Sequence, residues 1–328
     1  MLARRSLGIL TAALATPFVT RAQAQTRWVM ATAYPDGNYH TQNLRQFVRE
    51  VEEGTNGRLA IQVHSNASLL PMPQIKRAVQ TGQIQMGEIL LAAYGNEDPF
   101  LEVDFIPFLA DTWPRARALD EVSLPIIRQR LERQGIAMLY TANWPSQGFW
   151  TQREINRVED LRGTRFRAQT AVLARMAELL GASPVTVQQA EVPQAFAAGI
   201  VNVMVTSAQT GVDTSAWDYT RYVYFVGFTL VRNAVIVNAR AFAGLDEATR
   251  GVFRAAAARA AERGPGLAQE SERTMTARLR QQGMNLPEPS AELLAGLRAI
   301  GERQVQDWAQ RAGPEGQQML ERYRALIR

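Results

Sequence analysis

Residues 59–91, LAIQVHSNASLLPMPQIKRAVQTGQIQMGEILL, contain the alternation of elements that decides the fold class of this chain. Leu59–Val63 predicts one strand, and Ile84–Leu91 predicts another. Between them, a helix that begins at Pro73 carries apolar side chains at helical spacing. Strands that alternate with helices form mainly parallel sheets covered by those helices. The segment therefore predicts an α/β fold.

The same alternation extends toward the N-terminus. RWVMA at 27–31 predicts a strand, and an apolar stripe within 44–51 predicts an amphipathic helix. A helix over 113–134 and a strand over 135–141 complete a first α/β unit on the C-terminal side of the quoted segment. These elements together predict one lobe with a single sheet.

A second α/β unit begins near residue 150 and predicts a second lobe. Strands at 164–167 and 200–205 enclose a helix with an apolar stripe over 172–180. Further strands at 222–229 and 234–238 are expected to cross back to the first lobe. The remainder is predicted to be helical in four segments: 246–263, 267–282, 291–311 and 314–327. We expect lobe I to comprise residues 25–147 plus about 232–275, and lobe II residues 148–231 plus about 276–328.

The first 24 residues have the three parts of a secretory signal peptide. Met1–Arg5 contains two arginines, Leu7–Val19 carries no charge, and Ala22-Gln23-Ala24 is a small-residue cleavage site. The uncharged run is shorter than the about 20 apolar residues that span a bilayer. We therefore expect export to the periplasm and a mature chain that starts near Gln25.

Charge and composition argue against several classes of function. Removing the three arginines of the signal from the 36 basic residues leaves 33, against 31 acidic ones. Such a balance does not favour a nucleic-acid partner. The absence of cysteine excludes disulfides and thiol chemistry, and His40 and His64 form no metal-binding motif. Neither a phosphate-binding glycine loop nor a GxSxG nucleophile elbow is present. We therefore predict no enzymatic activity, no metal and no cofactor.

Five short segments, in this order, resemble the DctP-type substrate-binding subunits of TRAP (tripartite ATP-independent periplasmic) transporters. They are FVREVE at 47–52 with TNGRL at 55–59, AVQTGQIQM at 78–86, DFIPFL at 104–109, VEDLRGTRFR at 158–167 and EVPQAFAAGIVN at 191–202. The resemblance covers nearly all of the mature chain. It implies a bilobed periplasmic-binding-protein-like fold with a ligand cleft between two α/β lobes and extra C-terminal helices. It also implies delivery of ligand to integral-membrane TRAP permease subunits.

Arg167 is the main candidate for ligand binding. It follows the Asp160-Leu161-Arg162-Gly163 turn at the exit of a strand, where the family places a carboxylate-binding arginine. A guanidinium group offers a planar pair of donors that matches a carboxylate and stays charged at physiological pH. The alternative interpretation is a surface arginine, since the chain has many.

Other candidates follow from the same resemblance or from their chemistry. Glu88 could pair with a ligand ammonium or accept from an amide N–H, which would suit an amino acid or a lactam acid such as pyroglutamate. Its alternative is a partly exposed strand-end glutamate. Trp144 and Phe149 could cover a ligand ring, or belong to the core. The remaining candidates are the polar side chains of Tyr34, Asn143, Gln147, Gln189, Thr206 and Gln209.

The sequence thus predicts a solute-binding protein of a TRAP transporter that closes on a small organic acid. The acid would be a monocarboxylate, which includes amino-acid-like, lactam and aromatic acids. Two alternatives stay open at this point. One is a solute receptor for an ATP-driven importer or a chemoreceptor, and the other is a secreted hydrolase on a bilobed scaffold.

Overall fold

A computed structural model describes residues 25–327 of the chain. The predicted signal peptide, residues 1–24, lies outside the described residues. The strands are β1 (Thr26–Ala31), β2 (Leu59–His64), β3 (Met86–Leu90), β4 (Ile136–Asn143), β5 (Gln147–Thr151), β6 (Arg165–Arg167), β7 (Ser183–Val185), β8 (Val203–Ser207), β9 (Tyr222–Phe225) and β10 (Arg232–Asn238). The α-helices are α1 (Tyr39–Gly54), α2 (Met72–Thr81), α3 (Trp113–Arg133), α4 (Ala171–Leu179), α5 (Val192–Ala197), α6 (Ala208–Asp213), α7 (Ala239–Ala243), α8 (Glu247–Gln281) and α9 (Ala291–Leu326).

The strands form two five-stranded sheets, one in each lobe of a bilobed α/β fold. The first sheet has the order β2-β1-β3-β10-β4, and the second has the order β7-β6-β8-β5-β9. In the first sheet, β1 pairs in parallel with β2 and β3, as the strand–helix–strand pattern predicts. The antiparallel strand β10 lies between β3 and β4. The second sheet is also mixed, because β5 runs antiparallel to both β8 and β9.

Two chain segments cross between the sheets, one from β4 to β5 and one from β9 to β10. They are tied together where the backbone N–H of Trp144 donates to the carbonyl of Val231 at 2.7 Å. The prediction that 234–238 crosses back is confirmed, because β10 belongs to the first sheet. The same prediction for 222–229 is wrong, because β9 stays in the second sheet as the edge strand beside β5.

The two long C-terminal helices hold the lobes together. Helix α8 packs on α1 and β4 of the first lobe and on α6 of the second. The sequence predicts a break within this helix near Pro265, but the structure shows one continuous helix. Proline removes one backbone hydrogen bond, yet Ala260 and Ala268 on either side of it are fully buried, so packing stabilises the helix across this point.

Helix α9 contains the second predicted break. Gly313 has a φ of 69° and a ψ of −160°, a conformation that other residues rarely adopt and that interrupts the helix. Helix α9 contacts α3, which packs on β4 of the first sheet, and α4, which packs on β6 and β7 of the second. These contacts do not assign residues 276–328 to one lobe. Within residues 25–327, none of the helices is both long and apolar enough to cross a membrane.

Candidate functional site

A small cavity lies where the loops after the strands of both sheets meet. Its volume is about 150 Å³, well below the roughly 300–1,000 Å³ typical of sites for drug-sized molecules. Strand ends that converge from two lobes form a ligand site in many α/β proteins. The first lobe and the crossing segments provide Ala33, Tyr34, Met72, Leu90, Trp144 and Val231. The second sheet and the loops that follow its strands provide Gln147, Arg167, Gln169, Gln188, Gln189 and Thr206.

Arg167 is the buried cation of this cavity. It is the last residue of β6, its side chain is only 3% exposed, and its Nε donates to the carbonyl of Val187 at 3.0 Å. Within the described residues 25–327, no carboxylate lies within ion-pair distance of its guanidinium. Burial lowers the pKa of Arg167 from 12.5 to about 10, although two nearby tyrosines and Glu191 partly offset the shift. The site therefore holds an uncompensated positive charge that a ligand anion would stabilise.

Arg232 shows how the same fold treats an arginine with a structural role. Its side chain is 1% exposed, and its Nε lies 3.2 Å from Oδ2 of Asp104. Its Nη1 lies 2.7 Å from Oδ1 of Asp120. Although burial opposes it, these two carboxylates raise the pKa of Arg232 above its usual value. Arg232 is neutralised by the protein's own carboxylates, whereas Arg167 is not.

A hydrogen-bond network fixes the aromatic wall of the cavity. The hydroxyl of Tyr34 and the indole N–H of Trp144 both donate to Oδ1 of Asn233, at 3.2 and 2.9 Å. The Asn233 amide in turn donates to Oε1 of Glu88 at 3.0 Å, and the Thr32 hydroxyl donates to Oε2 at 2.7 Å. Glu88 thus fixes the orientation of the amide. The shared acceptor holds the two rings edge to face, with their centroids 5.0 Å apart.

A further hydrogen bond joins the lobes beside the cavity. Asn38, which caps the start of α1 in the first lobe, donates through its Nδ2 to Oδ2 of Asp213 at 2.7 Å. Asp213 ends α6 in the second lobe, and burial raises its pKa. The cavity residue Gln189 contacts the same carboxylate oxygen at 3.4 Å. One carboxylate therefore connects the cavity wall to a contact between the lobes.

Residues 30–311 match the model of DctP, described as the bacterial extracellular solute-binding protein family 7. The chain belongs to the DctP family. Membership agrees with the two-sheet fold and with a buried, unpaired cation in the cavity between the sheets. The family is one of solute-binding receptors that act outside the cytoplasm.

Solved structures of other DctP receptors are similar over nearly the whole chain. DctP7 of Bordetella pertussis, an extracytoplasmic solute receptor binding pyroglutamic acid, is 44% identical with a TM-score of 0.90. The alignment covers 91% of this chain and 99% of that one. DctP6 of the same organism, with the same ligand, is also 44% identical, with a TM-score of 0.90 and coverage of 92% and 100%. A marine metagenome TRAP solute-binding protein specific for pyroglutamate is 32% identical, with a TM-score of 0.88 and coverage of 92% and 99%.

Among curated proteins, the similarity extends over about half of each relative. An uncharacterized protein, YiiZ, of Salmonella typhimurium is 24% identical over 53% of this chain and 55% of its own length. A solute-binding protein of Albidiferax ferrireducens is 21% identical over 53% of this chain and 52% of its own length. These partial matches are consistent with the family but say nothing about the ligand.

Within this DctP receptor, the structure brings six of the ten candidate residues to the cavity wall. Their roles as ligand contacts stay predictions, and their positions agree with such roles. Gln147 lies at the start of β5, where its Nε2 donates to the carbonyl of Pro145 at 3.0 Å. Thr206 lies on the neighbouring strand β8. The six residues that line the cavity are Tyr34, Trp144, Gln147, Arg167, Gln189 and Thr206.

Glu88 does not occupy the predicted position beside Arg167. It is not among the residues that line the cavity, and its two oxygens accept from Thr32 and Asn233. The His40 ring, which is fully buried, has its Nδ1 3.4 Å from Oε1 of Glu88. The protein's own donors thus bond to both oxygens of this carboxylate, which orients the Asn233 amide in front of it.

Phe149 also lies away from the cavity. It is on the same face of β5 as Gln147 but two residues farther along the strand. There it is fully buried in the core, with its ring 6.2 Å from that of Phe166 and 6.1 Å from that of Phe228. The alternative interpretation from the sequence, core packing, describes its position.

Asn143 and Gln209 lie behind the cavity wall. The amide of Asn143 donates to the carbonyl of Leu230 at 3.0 Å. The amide of Gln209 donates to Asp213 at 2.7 Å and accepts from Ser271 of α8 at 2.7 Å. Both side chains therefore connect segments of the fold, and neither is among the residues that line the cavity.

Gln169 is a cavity residue that sequence reasoning missed. Its Oε1 is buried and has no hydrogen-bond partner within the described part of the chain. Arg167 itself provided the signal that could have found it, because alternate residues of an extended segment share a face. Met72 and Leu90, which give the first lobe's wall its apolar surface, were also missed.

Proposed function

We propose that this DctP receptor binds pyroglutamate and holds its carboxylate on Arg167. The observation that carries the proposal is the buried guanidinium of Arg167, which lines the cavity and has no carboxylate partner among residues 25–327. An isolated buried charge is unfavourable unless a partner compensates it. A carboxylate that binds in this cavity would supply that partner through two parallel, charge-assisted hydrogen bonds.

The size and lining of the cavity favour a small, compact acid over a larger one. A space of about 150 Å³ suits a five-membered ring with a carboxylate better than a larger sugar acid. Met72, Leu90 and Val231 offer apolar contacts for ring methylenes. The polar groups of Gln147 and Thr206 on the opposite wall suit the lactam amide. Pyroglutamate is also the ligand of the receptors that are 44% and 32% identical to this chain.

We infer that the ligand acts by stabilising the closed arrangement of the lobes. The proposed lobes are residues 25–147 plus about 232–275 and residues 148–231 plus about 276–328. A ligand held between Arg167 of the second lobe and the Tyr34–Trp144 wall contacts both lobes only when they are closed. Such a ligand shifts the population toward the closed state by its difference in affinity for the two states. The bond between Asn38 and Asp213 would form in that state.

The partner that reads the closed state would be the integral-membrane subunits of a TRAP permease. Family membership supports this partner and a location outside the cytoplasm. The predicted signal peptide, residues 1–24, would direct export to the periplasm. In this scheme the receptor itself carries out no reaction, and transport depends on an ion gradient across the membrane.

The test is isothermal titration calorimetry on protein that has been unfolded and refolded to remove any co-purified ligand. The panel contains pyroglutamate, glutamate, proline, lactate and glucuronate. We expect pyroglutamate to bind most tightly, with a dissociation constant in the micromolar range or below. The proposal fails if none of the acids binds, or if glucuronate binds more tightly than pyroglutamate.

A further inference from the structure

The cavity contains one buried polar atom whose partner the protein does not supply. Among the cavity-lining side chains of residues 25–327, Gln169 Oε1 is buried without a hydrogen-bond donor. Buried polar atoms in native proteins almost always have a partner, and an unpaired one lowers stability. An unpaired acceptor beside an unpaired cation is therefore the pattern expected of a site that a ligand completes.

The backbone holds Gln169 and Arg167 on the same wall. Arg167 ends β6, and the next residue, Ala168, extends the pairing through a bond from its N–H to the carbonyl of Val185 at 2.9 Å. Ala168 is 3% exposed and points into the core. Thr170 then caps α4 by accepting from the N–H of Leu173. Gln169 is thus fixed between a strand and a helix cap, with its Cα about 7 Å from that of Arg167.

We infer that Oε1 of Gln169 accepts the ligand's lactam N–H while Arg167 holds its carboxylate. This inference rests on the proposed function. In pyroglutamate the ring nitrogen is bonded to the carbon that carries the carboxylate, so the groups that recognise them must be neighbours in the protein. Gln169 satisfies this requirement. Glu88 does not, because it is not among the residues that line the cavity and its oxygens accept from Thr32 and Asn233.

One carboxylate does line the cavity, on the exposed residue Glu191. Its Oε2 accepts from the backbone N–H of Gln188 at 2.9 Å. Gln169 provides an acceptor that carries no charge. A neutral acceptor suits the N–H of a lactam, whereas the ammonium of proline or glutamate would meet no negative charge at Gln169. Gln169 would thus determine selectivity for lactam acids over amino acids.

The experiment compares pyroglutamate with its lactone analogue, 5-oxotetrahydrofuran-2-carboxylate, in which a ring oxygen replaces the N–H. Calorimetry on ligand-free wild-type protein should show that pyroglutamate binds about tenfold to a hundredfold more tightly than the lactone. In Gln169→Met the lactone should bind as tightly as it does to wild type, whereas pyroglutamate should bind more weakly. The ratio of the two dissociation constants should therefore approach one. Gln188→Met replaces another cavity glutamine and should keep the lactam preference.

The outcomes separate this inference from the proposed function. If wild-type protein binds no pyroglutamate, the proposed function fails and this inference fails with it. If pyroglutamate binds but Gln169→Met weakens both ligands equally, or neither, only the role of Gln169 is overturned. The role of Gln169 is also overturned if Gln188→Met abolishes the preference for pyroglutamate over the lactone. Thermal unfolding checks that each variant folds. If Gln169→Met does not fold, Gln169→Asn replaces it in the experiment. This variant keeps an amide on a shorter side chain and should give a ratio of dissociation constants between those expected for wild type and for Gln169→Met.

Discussion

Replacing Arg167 by Met should weaken ligand binding and stabilise the ligand-free protein at the same time. The substitution removes the charge and keeps a flexible side chain of similar length. Burial lowers the pKa of this group to about 10, a shift that corresponds to about 3 kcal/mol by which the ligand-free protein disfavours the charged form. Methionine avoids that cost and loses one hydrogen bond, to Val187, of about 1 kcal/mol. We therefore expect Arg167→Met to raise the free energy of unfolding by about 2 kcal/mol.

Binding should change in the opposite direction. Removal of one partner from a buried, hydrogen-bonded charge pair costs about 2–5 kcal/mol. For pyroglutamate this corresponds to a dissociation constant weaker by about 30-fold to several thousand-fold. Calorimetry measures the loss of affinity, and urea denaturation of ligand-free protein measures the stability. Retained affinity, or a variant that is destabilised by several kcal/mol, would show that Arg167 supports the fold and does not bind the ligand.

Three further predictions follow from the same geometry. Arg232→Met should lower the free energy of unfolding by about 3–5 kcal/mol in urea denaturation, because the buried Asp104 and the half-buried Asp120 would lose their shared partner; unchanged stability would contradict this. Affinity for pyroglutamate should be constant from pH 6 to 9 and fall about tenfold per unit above pH 10. The sign follows because free receptor loses the proton of Arg167 near pH 10 while the complex keeps it, and calorimetry showing no loss at high pH would refute it. Asn233→Leu should weaken binding and cost at least about 2 kcal/mol of stability, since Tyr34 and Trp144 would lose their shared acceptor; unfolding curves and titrations that match wild type would refute this.

Local sequence patterns predicted most of the fold. The errors occur where contacts between distant segments of the chain decide which sheet a strand joins or whether a helix continues. The first strand–helix–strand alternation and the parallel pairs of β1 follow directly from hydrophobic spacing. The placement of β9 does not, because the strand's sheet depends on whether β5 offers a free edge. The continuity of α8 through Pro265 similarly depends on burial of the helix against both lobes, which the sequence does not reveal.

The candidate site was predictable in part, for a related reason. Arg167 could be identified because the segment VEDLRGTRFR at 158–167 resembles the family, which places a carboxylate-binding arginine at this position. The sequence does not reveal whether Glu88 faces the cavity, because nearly all of β3 is buried on both faces and no alternation shows which face meets the cavity. Phe149 lies in β5, which is buried at every position, and only depth along the strand separates it from Gln147. Gln169 has no motif of its own and is recognised only through its unpaired oxygen.

The most direct test is a crystal structure of the receptor with pyroglutamate in the cavity. The account predicts that both carboxylate oxygens lie about 2.7–2.9 Å from the guanidinium nitrogens of Arg167. The ring should lie against Tyr34 and Trp144, with the lobes closed around it. A ligand whose carboxylate is held by other donors, with the Arg167 guanidinium turned away from it or paired with a carboxylate of the protein, would contradict the account.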